Sequence, residues 1–197
     1  MEVGEKGENL AASLTRDSNL RKLLSRAMPF NYTRQQIPTG DAGTYATVEQ
    51  MVHLIREGTM NERARLLAVD IIKGCPWKNK ECEAKAIFKW LRSNIRFVSD
   101  PHMVELLHDV DAILRYRAAD CDDFVILGAS LLRSVGIPAR VVIIGAVPQH
   151  PDAFTHTYLE IALPKRGWIG FDPSVVKSTF GWSPPKFTKK KVIEING

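Results

Sequence analysis

The apolar positions change period once along the chain. Up to about residue 138 they recur at helical spacing, and beyond it they alternate or run together as strands do. Leu10, Leu14, Leu20, Leu23 and Leu24 give a helical stripe between Asn9 and Met28, after which Pro29, Pro38, Gly40 and Gly43 interrupt any regular pattern. Thr47-Val48-Glu49-Gln50 matches a capping box, because Thr47 can cap the Gln50 amide while the Gln50 side chain reaches back. It predicts a helix carrying Met51, Leu54 and Ile55 and ending at Gly58. Thr59-Met60-Asn61-Glu62 repeats the signal and opens a second helix through Leu66, Leu67, Val69, Ile71 and Ile72, closed by Gly74. The two read as a small antiparallel hairpin.

Glu81 to Asn94 is the clearest amphipathic stretch. Ala84, Ile87, Phe88, Leu91 and Ile95 share a face, and Lys85, Lys89 and Arg92 take the wet side. Ile95-Arg96-Phe97-Val98 reads as a short strand or extended exit, Ser99-Asp100-Pro101 as a turn, and Asp109 to Tyr116 as a short helix. A strongly apolar helix then runs from about Asp122 to Val135 and is stopped by Gly136-Ile137-Pro138. Ala139 to Val147 is a β-branched run suited to a buried strand. Thr155 to Leu163 alternates as a half-buried strand, and Trp168 to Phe171 follows a Pro164-Lys165-Arg166-Gly167 turn. Helices followed by sequential strands predict an α+β domain, with N-terminal helices packed on an antiparallel β-sheet. The expected division is an N-terminal arm, partly irregular, over 1–45, a folded domain over 46–180, and a basic C-terminal tail over 181–197, in which Val192 to Ile195 can form an edge strand.

Composition adds boundaries. The 45% hydrophobic and 25% charged fractions of the 197 residues are those of a globular protein of about one domain. No apolar run is long enough to span a bilayer. The opening Met1-Glu2-Val3-Gly4-Glu5-Lys6 lacks the apolar core of a signal peptide, so the expected location is cytoplasmic, without a membrane. The net charge of +5 is modest and gathers at Lys186, Lys189, Lys190 and Lys191, a solvated tail rather than a nucleic-acid surface. Three cysteines leave at least one unpaired, and in a reducing compartment none need pair.

Among the candidate chemistry, Cys121 stands out because it opens the apolar helix, where free amides and the helix dipole favour a thiolate. Asp120, Asp122 and Asp123 oppose that, so an imidazolium beside the sulfur would be needed to hold the thiolate. Taken alone, a free cysteine is as readily a small buried hydrophobe. His156 lies near the start of one strand and Asp172 at the end of the next, so two paired strands can set them side by side. Asp172 would then fix the imidazole tautomer and leave the other nitrogen to the sulfur. Cys75, Cys82 and Cys121 lack the paired short spacings of a zinc site, and the glycines form no phosphate loop. Neither a metal nor a cofactor is expected. Arg140, entering a strand, is read as half of a structural ion pair.

Four separated motifs occur in order: Asp120-Cys121-Asp122-Asp123-Phe124, then Leu131 to Val142 with Gly136-Ile137-Pro138-Ala139-Arg140, then His156-Thr157-Tyr158-Leu159-Glu160, then Gly167-Trp168-Ile169-Gly170-Phe171-Asp172-Pro173. Together with Glu81 to Val98 they resemble the transglutaminase-like superfamily over about residues 80–176. The resemblance implies a papain-like α+β core with a Cys-His-Asp triad, here Cys121, His156 and Asp172. Two positions depart from the family pattern: Asp120 stands where glycine usually precedes the nucleophile, and Tyr158 where tryptophan often follows the histidine. The implied activity is a cysteine-dependent hydrolase or acyltransferase acting on peptide or amide bonds of a protein or peptide substrate. The Cys121 amide is one candidate oxyanion donor, and Tyr116 and Trp90 are candidates for the second. The alternative is a catalytically silent binding or assembly module, such as a phage-particle-associated protein, that uses the N-terminal arm to contact a protein partner.

Overall fold

The computed structural model describes residues 36–101 and 104–196. The helix expected between Asn9 and Met28, and most of the expected arm, lie outside the described residues. The elements are α1 (Asp41–Met60), α2 (Glu62–Ile72), α3 (Lys80–Asn94), β1 (Arg96–Phe97), α4 (Val110–Tyr116), β2 (Ala118–Ala119), α5 (Cys121–Ser134), β3 (Ala139–Ile144), β4 (His156–Leu163), β5 (Gly167–Phe171) and β6 (Lys190–Glu194).

Helix α5 is the axis of the domain. Every residue from Asp123 to Leu132 is buried, because α1, α2 and α3 pack around it and β3 and β4 close the remaining side. The sheet is antiparallel with strand order β5-β4-β3-β6. Val141, Ile143, Leu159, Ile161 and Phe171 point into the helical core. Strand β4 was expected to be half-buried, yet both of its faces are covered. Val142, Ile144 and Tyr158 form a second, smaller cluster on the far face, with Val192 against it. Strand β6 comes from the segment expected to hold a basic tail with an edge strand, and it pairs with β3 from Arg140–Glu194 to Ile144–Lys190.

Two helix boundaries differ from expectation for packing reasons. Helix α1 begins at Asp41 after a Gly40 N-cap with φ 68°, so Thr47 lies inside it and caps nothing. Val48, Met51, Val52 and Ile55 continue one buried stripe through the expected start. Nor does Gly58 stop the helix. It is buried where α1 meets α5 and α4, and a Cβ there would collide with Ser130 and Val110. The N-cap of α2 is Asn61, whose side chain accepts from the Ala64 amide, rather than Thr59. Cys75 and Cys82 form a disulfide across the α2–α3 connection, although no pairing was required of them. The expected Arg140 pair is present: Arg140 Nη2 lies 2.6 Å from Glu160 Oε2, and Lys190 Nζ 2.6 Å from Glu160 Oε1. Among the described residues, no helix is long and apolar enough to cross a membrane.

Candidate active site

The N-terminus of α5 is built by Asp120. Its backbone is extended, its Oδ1 accepts from the Asp123 amide at 3.0 Å, and its carbonyl accepts from the Phe124 amide. That cap places Cys121 in the first turn, where its own amide has no helical acceptor. Immediately before it, Ala118–Ala119 forms β2 and pairs in parallel with Arg96–Phe97. The pairing ties the exit of α3 to the approach to the cysteine. Phe97, Ser99 and Asp100 thereby form one wall of a cleft of about 330 Å³, with Asp120, Cys121, Thr155 and His156 also lining it and Ser174 and Val175 completing it.

His156 and Asp172 meet because of strand register. Leu159 pairs with Phe171, so the next residue, Asp172, falls on the Tyr158 side of the sheet, diagonal to His156. His156 Nε2 lies 2.7 Å from Asp172 Oδ2, and Asp172 is 1% exposed. The carboxylate's other oxygen accepts from Ser174 Oγ at 2.7 Å and from the Ser174 amide at 3.2 Å. Nδ1 of His156 is thereby the ring nitrogen left to other work. Strand β5 ends at Phe171, so the first residues of β4 have no strand partner on that side. There the Thr157 amide, next in the chain to His156, donates toward the Cys121 sulfur.

The three residues singled out in the sequence are thus brought together: two line one cleft, and the third is bonded to the second. Among the described residues, no hydrogen bond joins the sulfur to the imidazole. The sulfur's side-chain contact is Asp122 Oδ1 at 3.6 Å. Trp90 is buried under the Arg117 guanidinium and Tyr116 stands against His108, and neither lines the cleft.

The electrostatics of the helix tip run against a resting thiolate. Burial pushes the Cys121 thiol well above its ordinary value, and the negative charges of Asp122 and Asp120 add to it, while the Thr157 amide pulls the other way. Asp120 itself is pushed up to about 7 by burial, with Asp123, Asp100 and Glu105 adding repulsion against the pull of the Asp123 amide. Asp122 is raised by burial and by its hydrogen bond and repulsion with Glu105. His108 supplies the countercharge. Its Nδ1 is 2.7 Å from Asp123 Oδ2, its amide also donates to that carboxylate, and it is held above the usual histidine value by the pair. Asp100, Glu105 and Asp120 bring ligand-type oxygens within 4.8 Å of one another, a spacing at which their charges repel. Reading the sequence for thiol and imidazole ligands missed this group, since Asp100 and Glu105 are carried there by a loop distant in sequence.

The profile of the Transglutaminase-like superfamily matches residues 65–173. The uncharacterized protein YebA of Bacillus subtilis (strain 168) is 26% identical over 133 residues, 59% of this chain, and the chain spans only 18% of that relative's length. A structure from Parabacteroides distasonis assigned provisionally as a protease superposes with a TM-score of 0.55 at 14% identity, covering 86% of this chain and 35% of that one. The periplasmic domain of TgpA from Pseudomonas aeruginosa is 24% identical with a TM-score of 0.46, over 62% of this chain and 47% of its own.

Proposed function

The chain belongs to the transglutaminase-like superfamily, and from that premise we propose that it is a cysteine-dependent hydrolase or acyltransferase acting on peptide or amide bonds through a thioester. The observation that carries the reading is the 2.7 Å His156–Asp172 bond at the edge of the cleft that holds Cys121. With Nε2 committed to Asp172, the imidazole is fixed in the tautomer that leaves Nδ1 able to accept a proton.

Burial and the neighbouring carboxylates push the thiol up, which favours a proton that moves during attack rather than before it. The sulfur forms a bond to the carbonyl carbon as His156 Nδ1 takes the thiol proton. The carbonyl oxygen becomes an oxyanion, and the Cys121 amide at the helix tip is placed to donate to it. The imidazolium then protonates the departing amine as the C–N bond breaks, leaving the acyl group on sulfur. Water or a second amine releases it with His156 acting as base, giving hydrolysis or transfer. Phe97, Ser99 and Asp100, together with Ser174 and Val175, line the cleft in which the scissile bond would sit.

The test pairs two assays of the whole chain: release of amine from a peptide library, and incorporation of a fluorescent primary amine into casein. Activity in either that disappears in Cys121→Ala, with an unchanged melting temperature, supports the reading. No activity in either contradicts it.

The raised thiol favours a second reading, a binding or assembly module that keeps the fold without turnover. A partner would then engage the N-terminal segment, and removing residues 1–35 would abolish binding and leave the cleft intact. The Cys75–Cys82 bridge also bears on location, since such a bridge persists in an oxidising compartment and opens in the cytoplasm that the sequence suggested. Alkylating the thiols at cell lysis distinguishes the two, by one blocked cysteine or three.

A further inference from the structure

Asp172 does not hold His156 by itself. One carboxylate oxygen serves the imidazole, and the other is taken by Ser174, whose hydroxyl and amide both donate to Oδ1, at 2.7 and 3.2 Å. A carboxylate with one partner turns about its terminal torsion, which is broad and roughly two-fold. Two donors on the second oxygen fix the plane, and so fix where the first oxygen meets Nε2. Pro173 between them adds a backbone with a set φ.

The turn that carries Ser174 is itself anchored. Ser178 Oγ donates to the Asp172 carbonyl. Arg92, from the wet face of α3, reaches into the turn: Nη1 donates to the Ser178 carbonyl at 2.6 Å and the Val175 carbonyl at 3.3 Å, and Nη2 to the Val176 carbonyl at 2.5 Å. A planar guanidinium can serve three carbonyls in this way, whereas an ammonium ion would not reproduce the fork. A continuous run of bonded groups therefore leads from α3 to the imidazole.

We propose that Ser174 is a positioning residue of the active site, holding the Asp172 carboxylate in the plane that orients His156 toward Cys121, with Arg92 clamping the turn that presents it. This rests on the reading of Cys121, His156 and Asp172 given above. Ser174 lies at the cleft wall but acts through Asp172, so its loss changes the proton relay without removing any member of it.

Two readouts test it: the second-order rate of iodoacetamide alkylation of Cys121 near neutral pH, and the proton NMR signal of the His156 Nε2–H. Ser174→Ala is expected to lower the alkylation rate on the order of tenfold, the size of one hydrogen bond to a charged group. It is also expected to shift the Nε2–H signal upfield toward that of an unpaired imidazole. Ser174→Thr, which keeps the hydroxyl, restores both, and Ser174→Val, its isostere without one, does not. The Thr and Val pair decides the question if the Ala variant folds poorly. A Ser174→Val rate and signal equal to those of Ser174→Thr overturn the proposal. Asp172→Asn separates the two levels. If it leaves the alkylation rate unchanged, the reading of the site itself fails. If it slows alkylation while removing the Ser174 hydroxyl does not, only the role of Ser174 fails.

Discussion

Of the places where this domain withdraws carboxylates from water, the sheet's far face and the tip of α5 treat them in opposite ways. Glu160, on the far face of the sheet, is 7% exposed and bonded to both Arg140 and Lys190. Burial would raise it, but the two cations hold it below the ordinary glutamate value. At the tip of α5, burial pushes Asp120 up and repulsion from Asp123, Asp100 and Glu105 adds to it, with His108, bonded to Asp123, as the countercharge nearby. The first arrangement joins three strands of the sheet: Arg140 on β3, Glu160 on β4, and Lys190 and Glu194 on β6. The second stores repulsion beside the one free cysteine. A buried charge with its partners is part of the scaffold, whereas one left among like charges marks a site with other work to do.

That contrast can be broken from either side. The largest effect is expected from Glu160→Ala, which leaves Arg140 and Lys190 without their shared partner between strands. A loss of about 2 kcal/mol in a denaturant titration is expected, the scale of hydrogen bonds to a charged group, with cleft chemistry unchanged. A loss within error would mean that the cations are satisfied by water and the sheet network is ornamental.

A smaller effect, of opposite sign, is expected at the tip. Asp120→Asn keeps the oxygen that caps the Asp123 amide and removes the charge. Burial pushes the folded Asp120 carboxyl up to about 7, well above the usual carboxylate range, so the wild-type folded state holds the proton more tightly than the unfolded chain. Its contribution is fully present below about pH 4 and is lost as pH rises through about 7. His108, also raised, pushes in the same direction over its own range. The variant should therefore melt about 2–4 °C above the wild type at pH 8, after discounting for partial exposure, and the gap should close toward pH 4. A gap that widens on acidification would show that Asp120 is stabilised as a carboxylate.

The same contrast separates what the sequence discloses from what it does not. Helix α3, helix α5 and strands β3 to β5 are legible because each is one strongly patterned segment, and the placement of Cys121, His156 and Asp172 on their ends follows from those segments. The acidic crowd is not legible in full. Asp120, Asp122 and Asp123 are adjacent, but Asp100 and Glu105 arrive through a loop whose path depends on the α5 tip: Asp100 accepts from the Leu106 amide and Asp123 from His108. The two-residue β1–β2 pairing is too short to leave a period. The early start of α1 and its passage through Gly58 are set by contact with α5 and α4, not by local caps. Cys75 and Cys82 stand seven residues apart in a spacing shared by unpaired thiols, so only the turn between α2 and α3 joins them. Arg92 reads as a wet-face cation, and its three carbonyl partners lie more than eighty residues on.

The proposed chemistry requires His156 to activate the Cys121 sulfur, whose thiol is pushed up by burial and by Asp122 and Asp120. The direct measurement is the iodoacetamide labelling rate of Cys121 in the native wild type and in His156→Ala, followed by mass spectrometry near neutral pH. Mass spectrometry reads Cys121 apart from Cys75 and Cys82, which are bridged in the structure. A fall of about a hundredfold or more is expected when the imidazole is removed. Equal rates in the two proteins would contradict it, because the sulfur would then react with no help from the ring beside it.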